Sequence, residues 1–179
     1  MKQTVLKFGA IAGVILSAMM AFSILVIGDN GSLGALIGYT TMILAFSLAY
    51  FGVRSYRDTV AKGSISFGRA FAVGMLITAF ASCFYVATWE VMYYNFLPDF
   101  ATKYAAAAVE RTKTSRGTPA QIEATKVEMD KFVEMYKNPL IIAGMTFLEP
   151  LPVGLLAALI CAALLKRKGS EDGSLAAAG

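Results

Sequence analysis

The sequence contains no histidine. That removes the commonest zinc ligand and the commonest general base near neutral pH. It contains two cysteines, Cys83 and Cys161, far too few for a disulfide framework. Both fall inside apolar blocks, which predicts a small buried hydrophobe at each position. No nucleophile with a partnered base occurs, nor a glycine-rich phosphate loop after a strand, nor paired metal ligands. These absences argue against an enzyme, and neither a metal nor a cofactor is expected. The basic residues are divided among separate segments, which gives nucleic-acid binding no support.

What is present is apolar. Hydrophobic residues make up 57% of the 179 positions, against about 45–50% in a soluble domain. The excess falls in four blocks, over residues 5–27, 33–53, 71–94 and 140–165. A block of about 20 residues spans a hydrocarbon core of ~30 Å at ~1.5 Å per residue. The blocks lack the alternation of barrel strands, so the expectation is an all-α, polytopic membrane protein with four transmembrane helices. Residues 1–168 are read as a single four-helix membrane domain. The first block is too long for a secretory signal, whose apolar region usually runs about 7–15 residues.

Charge sets the orientation. Lys2 and Lys7 precede the first block, and Arg54, Arg57, Lys62 and Arg69 lie between the second and third against Asp58 alone. Lys166, Arg167 and Lys168 follow the fourth. Asp29 is the one charge between the first two blocks. Positive-inside reasoning places the basic clusters, and with them both termini, in the cytoplasm. These cations are read as topology determinants that also reach anionic headgroups. The segment 95–139 then faces outward, and the tail 169–179, rich in Gly, Ser, Ala and acid, is expected to be disordered.

The outer segment reads as an extracytoplasmic helical hairpin over about residues 98–137. Asp99 can cap its first helix, and Gly117 ends it. Thr118, Pro119 and Gln121 then form a helix start, with Thr at the cap, Pro at the first position and Gln three beyond the cap. Ile122, Met129, Phe132, Val133 and Tyr136 share one face of the second helix at helical spacing. This stripe is a candidate interaction face for a protein partner or the outer leaflet. The alternative is packing on its own neighbour helix.

Two acids lie within the blocks. Glu90 sits beside Trp89, Tyr93 and Tyr94, about 6 Å inside the outer end, where a carboxylate fits an interfacial belt. Glu149 lies about 14 Å deep, near the bilayer middle. It is followed by Pro150, Leu151 and Pro152. The prolines take the usual helical donors from the carbonyls of Thr146 and Leu148, so the fourth helix should be kinked or interrupted there. An acid beside freed carbonyls suits a proton or cation site; it also suits a structural kink in which a protonated Glu149 donates to a neighbouring carbonyl. Gly9 with Gly13, and Gly34 with Gly38, have the spacing that lets helices approach closely. They suit packing within one chain or a homo-oligomer.

Several stretches taken together carry a resemblance. They are Gly52-Val53-Arg54-Ser55-Tyr56-Arg57-Asp58, Ile65-Ser66-Phe67-Gly68-Arg69-Ala70-Phe71, Met135-Tyr136-Lys137-Asn138-Pro139, and Phe147-Leu148-Glu149-Pro150-Leu151-Pro152-Val153-Gly154. The set resembles a bacterial membrane family catalogued as domain of unknown function 4199, over about residues 2–168. The resemblance implies a multi-pass protein of the bacterial cytoplasmic membrane and brings no activity, substrate or cofactor. The functional expectation is a non-enzymatic accessory or interaction protein whose partners are the lipid bilayer and a protein at the outer hairpin. The alternative is a small transporter or proton-coupled subunit that uses Glu149.

Overall fold

A computed structural model describes residues 1–27 and 31–167. Asp29, Lys168 and the 169–179 tail, about which the sequence raises expectations, lie outside the described residues. The elements are α1 (Lys2–Phe22), a π-helical stretch (Ser23–Ile27), α2 (Gly31–Thr59), α3 (Phe67–Phe96), α4 (Phe100–Thr114), α5 (Pro119–Met135), α6 (Pro139–Leu148) and α7 (Leu151–Leu165). Among the described residues, four helices are long and apolar enough to cross a membrane: Lys2–Val26, Leu36–Thr59, Phe67–Phe96 and Pro139–Leu165. The last of these comprises α6 and α7.

The helices outrun the apolar blocks. α2 continues to Thr59 where the block stops at residue 53, and α3 begins at Phe67 where the block begins at residue 71. Apolarity marks the part suited to lipid, whereas backbone hydrogen bonding carries a helix on into polar sequence. Asp58 helps hold the last turn of α2, with Arg54 Nε at 3.7 Å and Arg57 Nε at 2.7 Å from its carboxylate oxygens.

The chain divides into two compact units, Met1–Tyr85 with Glu149–Gly179, and Val86–Leu148. The first is held by small residues that admit large ones. A β-carbon at Gly13 would lie 2.7 Å from the Phe84 ring, and one at Gly9 would lie 2.8 Å from the Phe80 ring. The pair Gly9 and Gly13 therefore seats α1 on α3 within one chain. Gly52 of α2 admits Ile77 and Phe8, and Gly74 of α3 meets Ala158 of α7. Among the described residues, nothing beyond Gly38's own stretch of helix lies within 4 Å of where its β-carbon would stand, so the second glycine pair makes no comparable contact there. The unit's core contains Val53, Val73, Ile77, Cys161 and Leu165 toward one end and Leu16, Met42, Phe46 and Ala81 in a second cluster. Cys161 is the buried hydrophobe expected of it. Cys83 is exposed on α3 instead, because its position faces away from the helices packed on Thr78 and Ser82.

The loop from α2 to α3 is pinned down. Lys62 and Gly63 adopt left-handed backbone conformations, with φ of 53° and 86°, and turn the chain. Ile65 then pairs with Arg167 just beyond α7, N to O at 3.0 Å and O to N at 2.9 Å.

In the second unit, α4 and α5 form the expected hairpin. Thr118 and Gln121 complete a capping box: Gln121 N donates to Thr118 Oγ1 at 3.3 Å, and Thr118 N donates to Gln121 Oε1 at 2.8 Å. Asp99 occupies the cap position of α4, but its side chain makes no cap hydrogen bond; Thr102 Oγ1 donates to the Asp99 backbone carbonyl at 2.9 Å. The core of this unit is aromatic. Phe132 tilts against Tyr136 with ring centroids 4.5 Å apart, Trp89 meets Phe100 edge-on at 4.9 Å, and Tyr93 meets Tyr136 at 5.5 Å.

Candidate functional site

The last candidate span is broken where the prolines require it. α6 ends at Leu148, Glu149 and Pro150 form a turn, and α7 begins at Leu151. Pro150 has no N–H to offer Thr146, and Pro152 has none for Leu148. The helical ladder restarts when Gly154 N donates to the Pro150 carbonyl at 3.0 Å. Pro152 falls in the first turn of α7, where a missing N–H costs little.

Glu149 stands exposed at this break. Leu155, Leu156, Leu159, Ile160 and Leu164 are exposed further along α7, while Gly154, Ala158, Cys161 and Ala162 face inward. The acid therefore heads the outward flank of its helix rather than the packed one. The Tyr85 phenol hydrogen-bonds its carboxyl. Tyr85 itself packs, with Val153 and Ala157, on the second core cluster of the first unit.

The other polar groups on that face of α3 are satisfied internally. Thr78 Oγ1 donates to the Gly74 carbonyl at 3.2 Å, and Ser82 Oγ donates to the Thr78 carbonyl at 3.0 Å. Both residues are fully buried. Tyr85 is the candidate site residue that sequence reasoning missed. The signal was available: Thr78, Ser82 and Tyr85 recur at i, i+4 and i+7, a polar line along one face of an otherwise apolar helix.

The remaining candidates lie in the second unit. Glu90 is half-buried, and its Oε1 is enclosed without a hydrogen-bond partner among the described residues, as is Trp89 Nε1. The enclosure of this oxygen departs from the water-facing belt expected around Glu90. Tyr136, which caps α5, is buried in the aromatic core, and Phe132 packs half-buried against it. Ile122, Met129 and Val133 are half-buried and line a groove that α4 completes with Ala105, Ala106 and Val109. The amphipathic stripe faces its neighbour helix, and charged side chains, Glu110, Lys113, Glu123, Lys126 and Asp130, also line the groove.

Chemically, a carboxyl, a phenol and a helix break can hold a proton or accept a hydrogen-bond donor from another span. Among the described residues no group of three or more His, Cys, Asp or Glu side chains gathers in a way that could hold a metal ion. A family model described as "Protein of unknown function (DUF4199)" matches residues 7–167. The chain belongs to this family. The matched region contains the α2–α3 loop, the hairpin and the Glu149 break, so all three lie within the family's extent. No curated protein and no solved structure matches the chain.

Proposed function

We propose that this member of the family is a non-enzymatic accessory or interaction protein of the bacterial cytoplasmic membrane, with both termini in the cytoplasm and the α4–α5 hairpin outside. It engages a partner span at the Glu149 break. The observation that carries this reading is the exposure of Glu149 at the head of the outward flank of α7. A carboxyl facing hydrocarbon is costly, about 2.5–3.5 kcal/mol on insertion scales for an acid at mid-helix. Tyr85 supplies one hydrogen bond to a group that has capacity for more. A donor from a neighbouring span removes the remaining cost, and polar side chains act this way between transmembrane helices.

A photoreactive residue at Leu156 tests the proposal in cells. A discrete cross-linked protein is expected, lost when Glu149 is changed to Leu and kept when it is changed to Gln. Lipid adducts alone, or a protein adduct indifferent to Glu149→Leu, would reject it.

The second reading is a small transporter or proton-coupled subunit, favoured by the interrupted helix beside an acid and a phenol. Glu149→Gln keeps the shape but cannot release a proton. On the transport reading that variant folds normally and fails to complement a deletion strain; on the interaction reading it complements.

A further inference from the structure

Cations crowd one end of the first unit. Arg54 and Arg57 project from the last turns of α2, Lys62 from the loop, Arg69 from the start of α3, and Lys166 and Arg167 follow α7. Asp58 is the sole acid in these segments. It is engaged by Arg54 at 3.7 Å and Arg57 at 2.7 Å and lies within electrostatic reach of Arg167. Lys62 and Lys166 are exposed and form no ion pair among the described residues.

The platform beneath these charges is closely packed. Ile65 is 3% exposed and Leu165 3%, and both belong to one core cluster with Tyr56 and Val73. The Ile65–Arg167 backbone pair ties the loop to the end of α7. The cations of three segments are therefore held near one another by buried contacts rather than carried on loose chain. Between them the surface is greasy: Val60 is 50% exposed, and Phe67 is 42% exposed and stacked on Phe71.

We infer that this end of the first unit is a binding site for an anionic phospholipid, whose phosphodiester is held by Lys62, Lys166 and the neighbouring arginines and whose acyl chains lie against Val60 and Phe67. Charge complementarity selects an anion, since a single acid opposes six cations. The exposed apolar side chains among the cations select a lipid over a free phosphate, because a soluble anion gains nothing from them.

The full chain in a neutral detergent is titrated with phosphatidylglycerol and with phosphatidylcholine, and bound lipid is read by native mass spectrometry. Phosphatidylglycerol is expected to bind more tightly, and the Lys62→Gln/Lys166→Gln variant to lose about fivefold in affinity per lysine. Lys62→Arg/Lys166→Arg is expected to retain binding, and Lys103→Gln/Lys131→Gln, on the hairpin, to match the parent. Equal binding of the two lipids would overturn the site. So would displacement by inorganic phosphate at lipid concentration, or a glutamine variant that folds and binds like the parent. If the glutamine variant fails to fold, the arginine variant decides: loss of binding by that folded protein also overturns it.

Discussion

Gly154 of α7 lies directly against the methyl group of Thr78 on α3, so that an added β-carbon would overlap it. A few residues away, Gly74 and Ala158 repeat the pattern with the roles of the helices exchanged, at 3.1 Å. The α3–α7 interface is thus built on two close approaches, one donated by each helix. Helices in lipid gain little from hydrophobic exclusion, so close packing of this kind carries much of their association.

Gly154→Ala is expected to destabilise the protein by about 1–3 kcal/mol through overpacking. Gly38→Ala, at a position with open space, should stay within about 0.5 kcal/mol of the parent. Thr78→Ser removes the offending methyl group and should recover part of the Gly154→Ala loss, giving a non-additive double-mutant cycle. Unfolding in mixed micelles of mild and denaturing detergent measures all four. Equal losses at Gly154 and Gly38 would show that the close approach is not energetic.

The Tyr85–Glu149 hydrogen bond should be worth about 0.6 kcal/mol and at most about 1.7, the range for side-chain hydrogen bonds in membranes. Tyr85→Phe should cost that much in the parent and almost nothing in a Glu149→Leu background, where the acceptor is gone. The same unfolding assay provides the cycle. Additive losses would mean the two side chains do not interact.

The architecture was legible because its signals are long-range averages. Four apolar blocks, one capping box and one proline pair are each written in consecutive residues, and the structure places a helix, a helix start and a helix break at each. The boundaries were less legible. Arg54, Arg57 and Asp58 end the apolar run without ending α2, since helical hydrogen bonds and i,i+4 ion pairs persist outside the apolar stretch. Asp99 held the cap position but not the cap bond: its backbone, with φ −94° and ψ 9°, lacks the extended geometry of a capping residue, which composition does not report. At the candidate site, Glu149 was visible from its depth and its prolines. Its partner Tyr85 lies 64 positions away, and only the packing of α7 on α3 brings the two together. Cys83 and Cys161 looked alike in sequence; which helix face is covered distinguished them.

Single cysteines in a cysteine-free background report orientation. Ser64 lies in the α2–α3 loop and Ser115 at the end of α4. Ser115→Cys should react with an impermeant thiol reagent on intact cells, and Ser64→Cys only after lysis. The reverse pattern would invert the proposed topology and move the lipid site to the outer leaflet.

The hairpin offers the sharpest separation of a cap from a core. Thr118 begins α5 through a reciprocal pair of hydrogen bonds with Gln121, and losing such a cap costs about 1 kcal/mol. Phe132 lies further along the same helix, half-buried, its ring tilted against Tyr136 at 4.5 Å and Tyr104 at 5.3 Å. Replacing it with Asp removes both ring contacts and puts a charge among aromatic side chains, so the loss should approach ~3 kcal/mol, the low end for a large-to-small change at a buried aromatic. Lys131 is exposed, and Lys131→Asp should be nearly neutral. Amide hydrogen exchange over residues 119–135 checks the order: modestly faster exchange for Thr118→Ala, collapse of protection for Phe132→Asp, and parent-like rates for Lys131→Asp. If Phe132→Asp and Lys131→Asp exchange alike, the stripe from Ile122 to Tyr136 is not buried against α4, and the face is left free for a partner.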